Sequence, residues 1–240
     1  MHYISILSTI IAFTFAVAVF ERYHRRKGLH LLLWGIGLVF YGFGTLTEVF
    51  MLFTFHGLAL KVWYLSGAML TAAWLGQGTV HLLVRKRNVA LTLTAILGLI
   101  SLLAIGLVFA APLTSAAVNF DLNQPISTQY KEILTRSGGT IALTILLNLY
   151  GTVTLIGGAI YSAWVFWRKH ILVNRMVGNV LIAAGALLPA MGGTFISLGL
   201  ADWLYVSEFL GAVLMYLGFV KAVAPQPAEE TSPTVPVSTG

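Results

Sequence analysis

Three ionisable side chains stand inside long apolar stretches of this 240-residue chain: Glu48, Lys61 and Glu208. Taking a charge out of water is costly, so each must be paired, protonated, or turned toward a cavity or a ligand. Glu48 and Lys61 flank a short turn around His56-Gly57 and fall at similar depth. They can form a structural ion pair, or share a pocket that holds a ligand headgroup. Glu208 lies about five residues into the last apolar stretch. It can pair with Lys61, carry a proton, or line a pocket with Glu48. Trp63 stands two residues after Lys61, at the same end. The expected ligand-binding set is therefore Glu48, Lys61, Trp63 and Glu208. Acidic groups in such a pocket are suited to sensing pH or a cation.

Other chemistries fit less well. His30 and His81 fall near matching ends of two apolar stretches, as an axial pair for a b-type haem would. Both adjoin basic linkers, so the expected cofactor is none, and no metal site is expected. His2, His24, His56 and His170 stand at loops or ends and read as solvated. Retinal would need a lysine in the middle of the last stretch, whereas Lys221 is at its end. No G-x-S-x-G, H-E-x-x-H or nucleotide-binding loop is present, so no enzyme is expected. With no cysteine, disulfides and thiolate metal sites are excluded.

The elements that must position these residues follow from composition. The chain is 58% hydrophobic and 9% charged, with a mean hydropathy of +0.88. A soluble domain carries about 25% charged residues, so this chain could not cover a water-facing surface. Apolar runs of about 18 residues or more bounded by charge predict seven membrane spans. They are Tyr3–Phe20, Leu29–Phe50, Leu58–Leu83, Val89–Ala111, Gly139–Trp167, Met176–Leu198 and Trp203–Val223. The fold class expected is an all-α, polytopic seven-helix bundle over residues 1–223. Residues 224–240, rich in Pro, Ser and Thr, are expected to be a disordered tail. A polar segment, Leu113–Gly138, joins the fourth span to the fifth.

Orientation follows from Lys and Arg on alternate sides. One side carries Arg22, Arg25, Arg26, Lys27, Arg85, Lys86, Arg87, Arg168, Lys169, Arg175 and Lys221; the other carries Lys61, Lys131 and Arg136. The positive-inside rule makes the first side cytoplasmic, with the N-terminus out and the tail in. The first span precedes its basic cluster, the polarity of an N-out helix and not of a cleaved leader. The net charge of +6 is thus spent on loops, which can touch anionic lipid, and no nucleic-acid partner is expected. The expected location is the plasma membrane.

Two further patterns stand out. Gly178, Gly185, Gly192 and Gly199 recur every seven residues, which lines one strip of the sixth span. Such a strip allows close helix approach, either for ordinary packing or as a sliding or dimer face. Pro189 in the same span removes a backbone hydrogen bond and makes a candidate hinge. Asp202 is expected to cap the last span. Trp34, Trp63, Tyr64, Trp164, Trp167, Trp203 and Tyr205 fall near span ends, as an interfacial aromatic belt does. Trp74 and Tyr41 lie deeper, where they can line an interior.

The pattern Trp34…Glu48…Lys61-x-Trp63-Tyr64, then Asn174-Arg175…Gly185-Ala-Leu-Leu-Pro189 and Asp202, resembles the N-terminal seven-helix membrane domain of bacterial sensor histidine kinases. The matching positions are Glu48, Lys61, Trp63, Pro189 and Asp202. In that family the module precedes output domains and senses a signal at or outside the membrane. No output domain follows Val223 here, so the resemblance implies a stand-alone sensor that passes its signal to a separate cytoplasmic or membrane partner. The alternatives are an accessory subunit of a larger membrane complex, using the glycine strip as its contact, and a small transporter. A transporter is expected to show broken helices in both halves.

Overall fold

A computed structural model describes residues 3–168, 172–192 and 198–225. His2, Lys169, His170, nearly all of the Pro/Ser/Thr-rich tail and the side chain of Asp202 lie outside the described part. The chain is an all-α, polytopic bundle in which, among the described residues, seven helices are long and apolar enough to cross a membrane. The spans are α1 (Ile4–Arg26), α2 (Leu29–Met51), α3 (Gly57–Leu83), α4 (Arg87–Ala110), α6 (Gly138–Arg168), α7 (Val173–Ala190) and α8 (Ala201–Val223). A short helix, α5 (Ile126–Ile133), lies in the α4–α6 connection.

Most boundaries sit within a few residues of those expected from hydropathy, and the departures have local causes. α1 continues through His24, Arg25 and Arg26 instead of stopping at Phe20, because cations in a last turn complement the helix dipole. Lys27 then caps it with a left-handed φ of 53°. The imidazole of His56 caps α3, accepting from Leu58 N–H at 3.2 Å. The described helix α7 runs to Ala190, one residue after Pro189; positions 193–197 of the expected span lie outside the described part. Pro189 stands in the last turn of that described helix. Asp202 is the second residue of α8, inside the first turn rather than at the cap position, which Leu200 holds.

Six spans close a ring in the order α1, α2, α3, α6, α7, α8, with α8 returning to α1; α4 packs outside it against α3 and α6. α2 and α3 are the most enclosed spans, about half buried, while α4 and α6 are mostly open to the surroundings. The open faces carry Leu99, Leu102, Leu103, Ile145, Leu146 and Leu149. Apolar side chains that cover a helix outward in this way face hydrocarbon, not water.

The glycine strip of α7 is consumed inside the bundle. A Cβ on Gly178 would lie 2.5 Å from Gly218 O, and one on Gly185 would lie 2.7 Å from Gly211 O. The reverse holds as well: Gly218 meets Gly178 O and Gly211 meets Gly185 O, each at 2.6 Å. Gly192 meets Leu204 further along. In each facing pair the residue numbers have the same sum, so α7 and α8 run antiparallel in one register with backbones in contact. Gly199 is not part of this strip; it takes a left-handed φ of +74° in the turn before α8.

The α4–α6 connection is folded and not a plain polar loop. Thr114 N–H donates to Ile133 O at 2.9 Å and Thr135 N–H to Pro112 O at 3.1 Å, which pins its two ends together. Gln129 closes its tip, donating to Asp121 O at 2.9 Å while accepting from Asp121 N–H at 2.9 Å. Ile126, Ile133 and Leu134 are buried against the ends of α3 and α4. At the tip, Asn123 N–H donates to the Asp121 carboxylate at 2.9 Å, and Asn123 Nδ2 and Gln124 Nε2 add a donor each. The backbone N–H of Asn123 leads in holding the Asp121 carboxyl below its ordinary value of 3.8. A depressed carboxylate stabilises the fold above its unfolded pKa and loses that contribution as pH falls through the lower folded value. Amide exchange at Asn123 is expected to gain on that of α4 as pH drops below 3.8; an unchanged ratio would show the tip to be held by other bonds.

Candidate functional site

The site is built around helices that stop being regular. α3 contains a π-helical segment over Tyr64–Leu70, and α6 contains another over Val153–Gly157. The two flank one cavity, and the last turn of α7, with Pro189, forms a third part of its wall. Widened turns displace carbonyls from the regular ladder, and side chains take them up. Thr71 Oγ1 donates to Ser66 O at 2.8 Å, and Asn148 Nδ2 reaches from α6 to Ala68 O at 2.7 Å. Non-helical backbone at this depth is tolerated where it lines a cavity or is buried in protein.

The cavity measures about 420 Å³ and is lined by α2, α3, α6, α7 and α8. That volume falls within the range of about 300–1,000 Å³ typical of small-molecule sites. α2 contributes Tyr41, Gly44, Thr45 and Glu48, the spacing of one helical face. α8 contributes Leu204, Glu208 and Met215 from one face. Ser127 and Tyr130 of α5 form a roof at the end that carries the folded connection. Toward the opposite end, the lining Leu75, Leu155, Ile156 and Met215 belong to a packed cluster with Leu38 and Phe219. The cavity is thus roofed by a folded loop and plugged below by core.

Glu48, Trp63, Glu208 and Pro189 all line this one cavity. Lys61 does not join them: its Nζ donates to Phe109 O on α4 at 2.8 Å. Neither the Glu48–Lys61 ion pair nor a Glu208–Lys61 pair forms, because the lysine stands on the face of α3 turned toward α4. Glu48, 5% exposed, is served instead by two neutral donors. Trp63 Nε1 donates to Oε1 at 2.7 Å, and Ser5 Oγ of α1 donates to Oε2 at 2.9 Å. Glu208 differs, since its Oε2 is buried with no hydrogen-bond partner. Its backbone carbonyl accepts from Tyr41 OH at 2.7 Å, which ties α2 to α8 beside the cavity.

Tyr130 links the roof to the wall. Its ring lies 5.2 Å from that of Trp63 and 5.7 Å from that of Tyr64. The Arg136 guanidinium stacks over it at 4.9 Å and over Tyr64 at 5.8 Å. Burial pushes the Tyr130 phenol above its ordinary value, partly offset by Arg136, so it stays neutral and can donate. Trp63, Tyr64 and Tyr205 are buried and do not belong to a lipid-facing belt; Trp164, Trp167 and Trp203 are exposed as a belt requires. Tyr41 lines the cavity, whereas Trp74 turns away and donates to Ser101 on α4 at 3.1 Å.

Several residues of the site escape a reading based on charge alone: Thr144, Asn148, Thr71, Ser127, Tyr130 and the partner Ser5. Asn148 carried a signal, as a lone amide within an apolar run is costly to bury unless it is hydrogen-bonded. A second polar group lies apart from the cavity. Gln77, fully buried, donates to Ala90 O at 3.0 Å and Thr94 Oγ1 at 2.8 Å and accepts from Tyr150 OH. His81 Nε2 bonds Thr94 Oγ1 at 2.7 Å, so this histidine is engaged with α4.

The chain matches no protein-family model, no curated protein and no solved structure. The functional reading therefore rests on the geometry of the cavity.

Proposed function

We propose that this membrane protein is a receptor-like sensor of the plasma membrane, in which a small molecule enters from the outer side, occupies the cavity and biases the end of α7. By the Lys and Arg distribution, the end with the folded connection is outside and the basic linkers are cytoplasmic. A separate partner at the cytoplasmic face or within the membrane would read the change. One observation carries this reading: the cavity's wall includes the π segments of α3 and α6 and the Pro189 turn of α7, while its cytoplasmic side is filled by Leu75, Leu155, Ile156 and Met215. Irregular turns give a wall with alternative arrangements, which a switch needs. The resemblance at Glu48, Trp63 and Pro189 points the same way, and these three residues all line the cavity. The contribution of Lys61 to a ligand site is not carried forward.

The two alternatives fare differently. The accessory-subunit reading relied on the glycine strip as an external contact, and that strip is occupied by α8. The transporter reading gains from the π segments in α3 and α6. The filled cytoplasmic half favours a receptor over a transporter.

The absence of native cysteine allows a direct test. Ala68→Cys and Thr152→Cys place single thiols on the cavity wall, and Leu102→Cys places one on the lipid-facing side of α4. A charged, membrane-impermeant thiosulfonate is expected to label the first two from outside and to leave position 102 unlabelled. Labelling of the cavity thiols from the cytoplasmic side of inverted vesicles as well would replace the receptor with a transporter. No labelling from either side would end the cavity reading.

A further inference from the structure

The polar end of the cavity contains an imbalance that identifies a class of ligand. Two carboxylic side chains, Glu48 and Glu208, line it, and among the described residues no lysine, arginine or histidine does. None of the three Lys and Arg side chains at this end of the bundle lines the cavity: Lys61 is engaged with Phe109 O, Arg136 with the faces of Tyr130 and Tyr64, and Lys131 is exposed on α5. Glu48 has both oxygens satisfied by Trp63 and Ser5. Glu208 Oε2 is buried with no hydrogen-bond partner among the described residues; Ser127 Oγ and Arg136 Nε, also buried without partners at this end, make no bond to it. A buried acceptor left without a partner is costly and calls for a donor that the protein does not supply.

We propose that the cavity takes an amphiphilic organic cation: an ammonium head at Glu208, within the field of Glu48, on a hydrocarbon or aromatic body. This rests on the receptor reading above and adds the chemical class of its ligand. An ammonium N–H is the donor that Glu208 Oε2 lacks, and a charge-assisted bond is the strong form of that contact. Tyr41, Trp63 and Tyr130 surround the polar end, and aromatic faces favour a cation over an anion or a neutral group. Beyond the head, Leu75, Leu155 and Met215 offer an apolar wall. A bare metal cation would leave that wall without a partner. An anion would meet two carboxyl groups, and a neutral alcohol would gain no charge assistance. The volume of about 420 Å³ admits such a molecule whole.

The test uses the full chain in detergent micelles and three probes of one shape: cyclohexylmethylammonium, cyclohexylmethanol and cyclohexanecarboxylate. The readout is the concentration at which each probe half-saturates its shift of the thermal unfolding midpoint, at mildly alkaline pH. The ammonium is expected to saturate at a concentration lower than the alcohol by about tenfold or more, the scale of one charge-assisted hydrogen bond. The carboxylate is expected to give no saturable shift. Glu208→Gln should bring the ammonium to the alcohol's concentration while leaving the alcohol unchanged. The wild-type ranking decides the matter even if that variant folds poorly. Equal saturation by ammonium and alcohol would overturn the cationic class and leave the receptor reading standing. Failure of all three probes, with the thiol at position 68 still labelled from outside, would also overturn the cationic class. An unreactive thiol there would remove the receptor reading itself.

Discussion

Glu48→Leu is expected to destabilise the bundle by about 3 kcal/mol, from two buried donors losing their acceptor at roughly 1–3 kcal/mol each. The reason is the position of Glu48 at the junction of three helices. Its carboxylate accepts from Trp63 Nε1 on α3 at 2.7 Å and from Ser5 Oγ on α1 at 2.9 Å. Leucine fills much the same space and accepts from neither. Ser5 is buried in the first turn of α1 and the indole N–H of Trp63 is fixed by a buried ring, so both donors are left without their acceptor. Glu48→Gln should lose less, because its amide oxygen can still serve one donor. Thermal unfolding in detergent reads the stability. Trp63→Phe supplies the cycle: with the indole donor gone, Glu48→Leu should cost clearly less than in the wild type. Equal costs in both backgrounds would show that the pair is incidental.

Gly185→Ala and Gly211→Ala are each expected to destabilise by about 1–3 kcal/mol, the usual scale of overpacking a filled interface. Alanine is the better helix former by roughly 0.5–1 kcal/mol, so propensity alone predicts the opposite sign. Geometry decides. The added methyl would sit 2.7 Å from Gly211 O in one case and 2.6 Å from Gly185 O in the other. Those are backbone atoms that cannot turn aside, so α7 and α8 would have to separate along their length. Gly178 and Gly218 repeat the arrangement. Gly98→Ala and Gly106→Ala are the internal controls, since nothing lies within 4 Å of either added methyl. They should be neutral or mildly stabilising. Destabilisation at all four positions would mean that the helices tolerate no added methyl anywhere, and the α7–α8 seam would lose its special standing.

These two results separate kinds of legibility. The Gly178–Gly185 spacing was visible in the sequence, and so was the need of such a strip for a close neighbour. The neighbour was not, although Gly211 and Gly218 repeat the same spacing on α8. A one-sided pattern gives a face but no address, and a dimer and an internal seam look alike until a partner helix is placed. Glu48 is the same case in polar form. The expense of burying it marked it at once, and depth made Lys61 the obvious partner. Depth along the membrane says nothing of rotation about the helix axis, and rotation sends Lys61 to Phe109 O on α4.

The π segments were invisible for a different reason. Tyr64–Leu70 and Val153–Gly157 contain no proline and read as ordinary apolar helix. In the first, Asn148 and Thr71 take up the displaced carbonyls of Ala68 and Ser66, and in the second Thr154 Oγ1 donates back to Tyr150 O at 2.6 Å. Asn148 bridges two spans 80 residues apart in the chain.

What the sequence determined by itself is set by solvent. Hydrocarbon demands continuous apolar helix, so the count of spans, their approximate ends and the alternation of basic linkers follow from composition along the chain. Each residue contributes to those properties independently, so they can be summed from local windows. The cavity, its roof of Ser127 and Tyr130, the release of Lys61 and the unmet oxygen of Glu208 came only with the tertiary structure. Each depends on the rotation of one helix against another, which is decided by packing of distant side chains and is not carried by any single stretch of sequence.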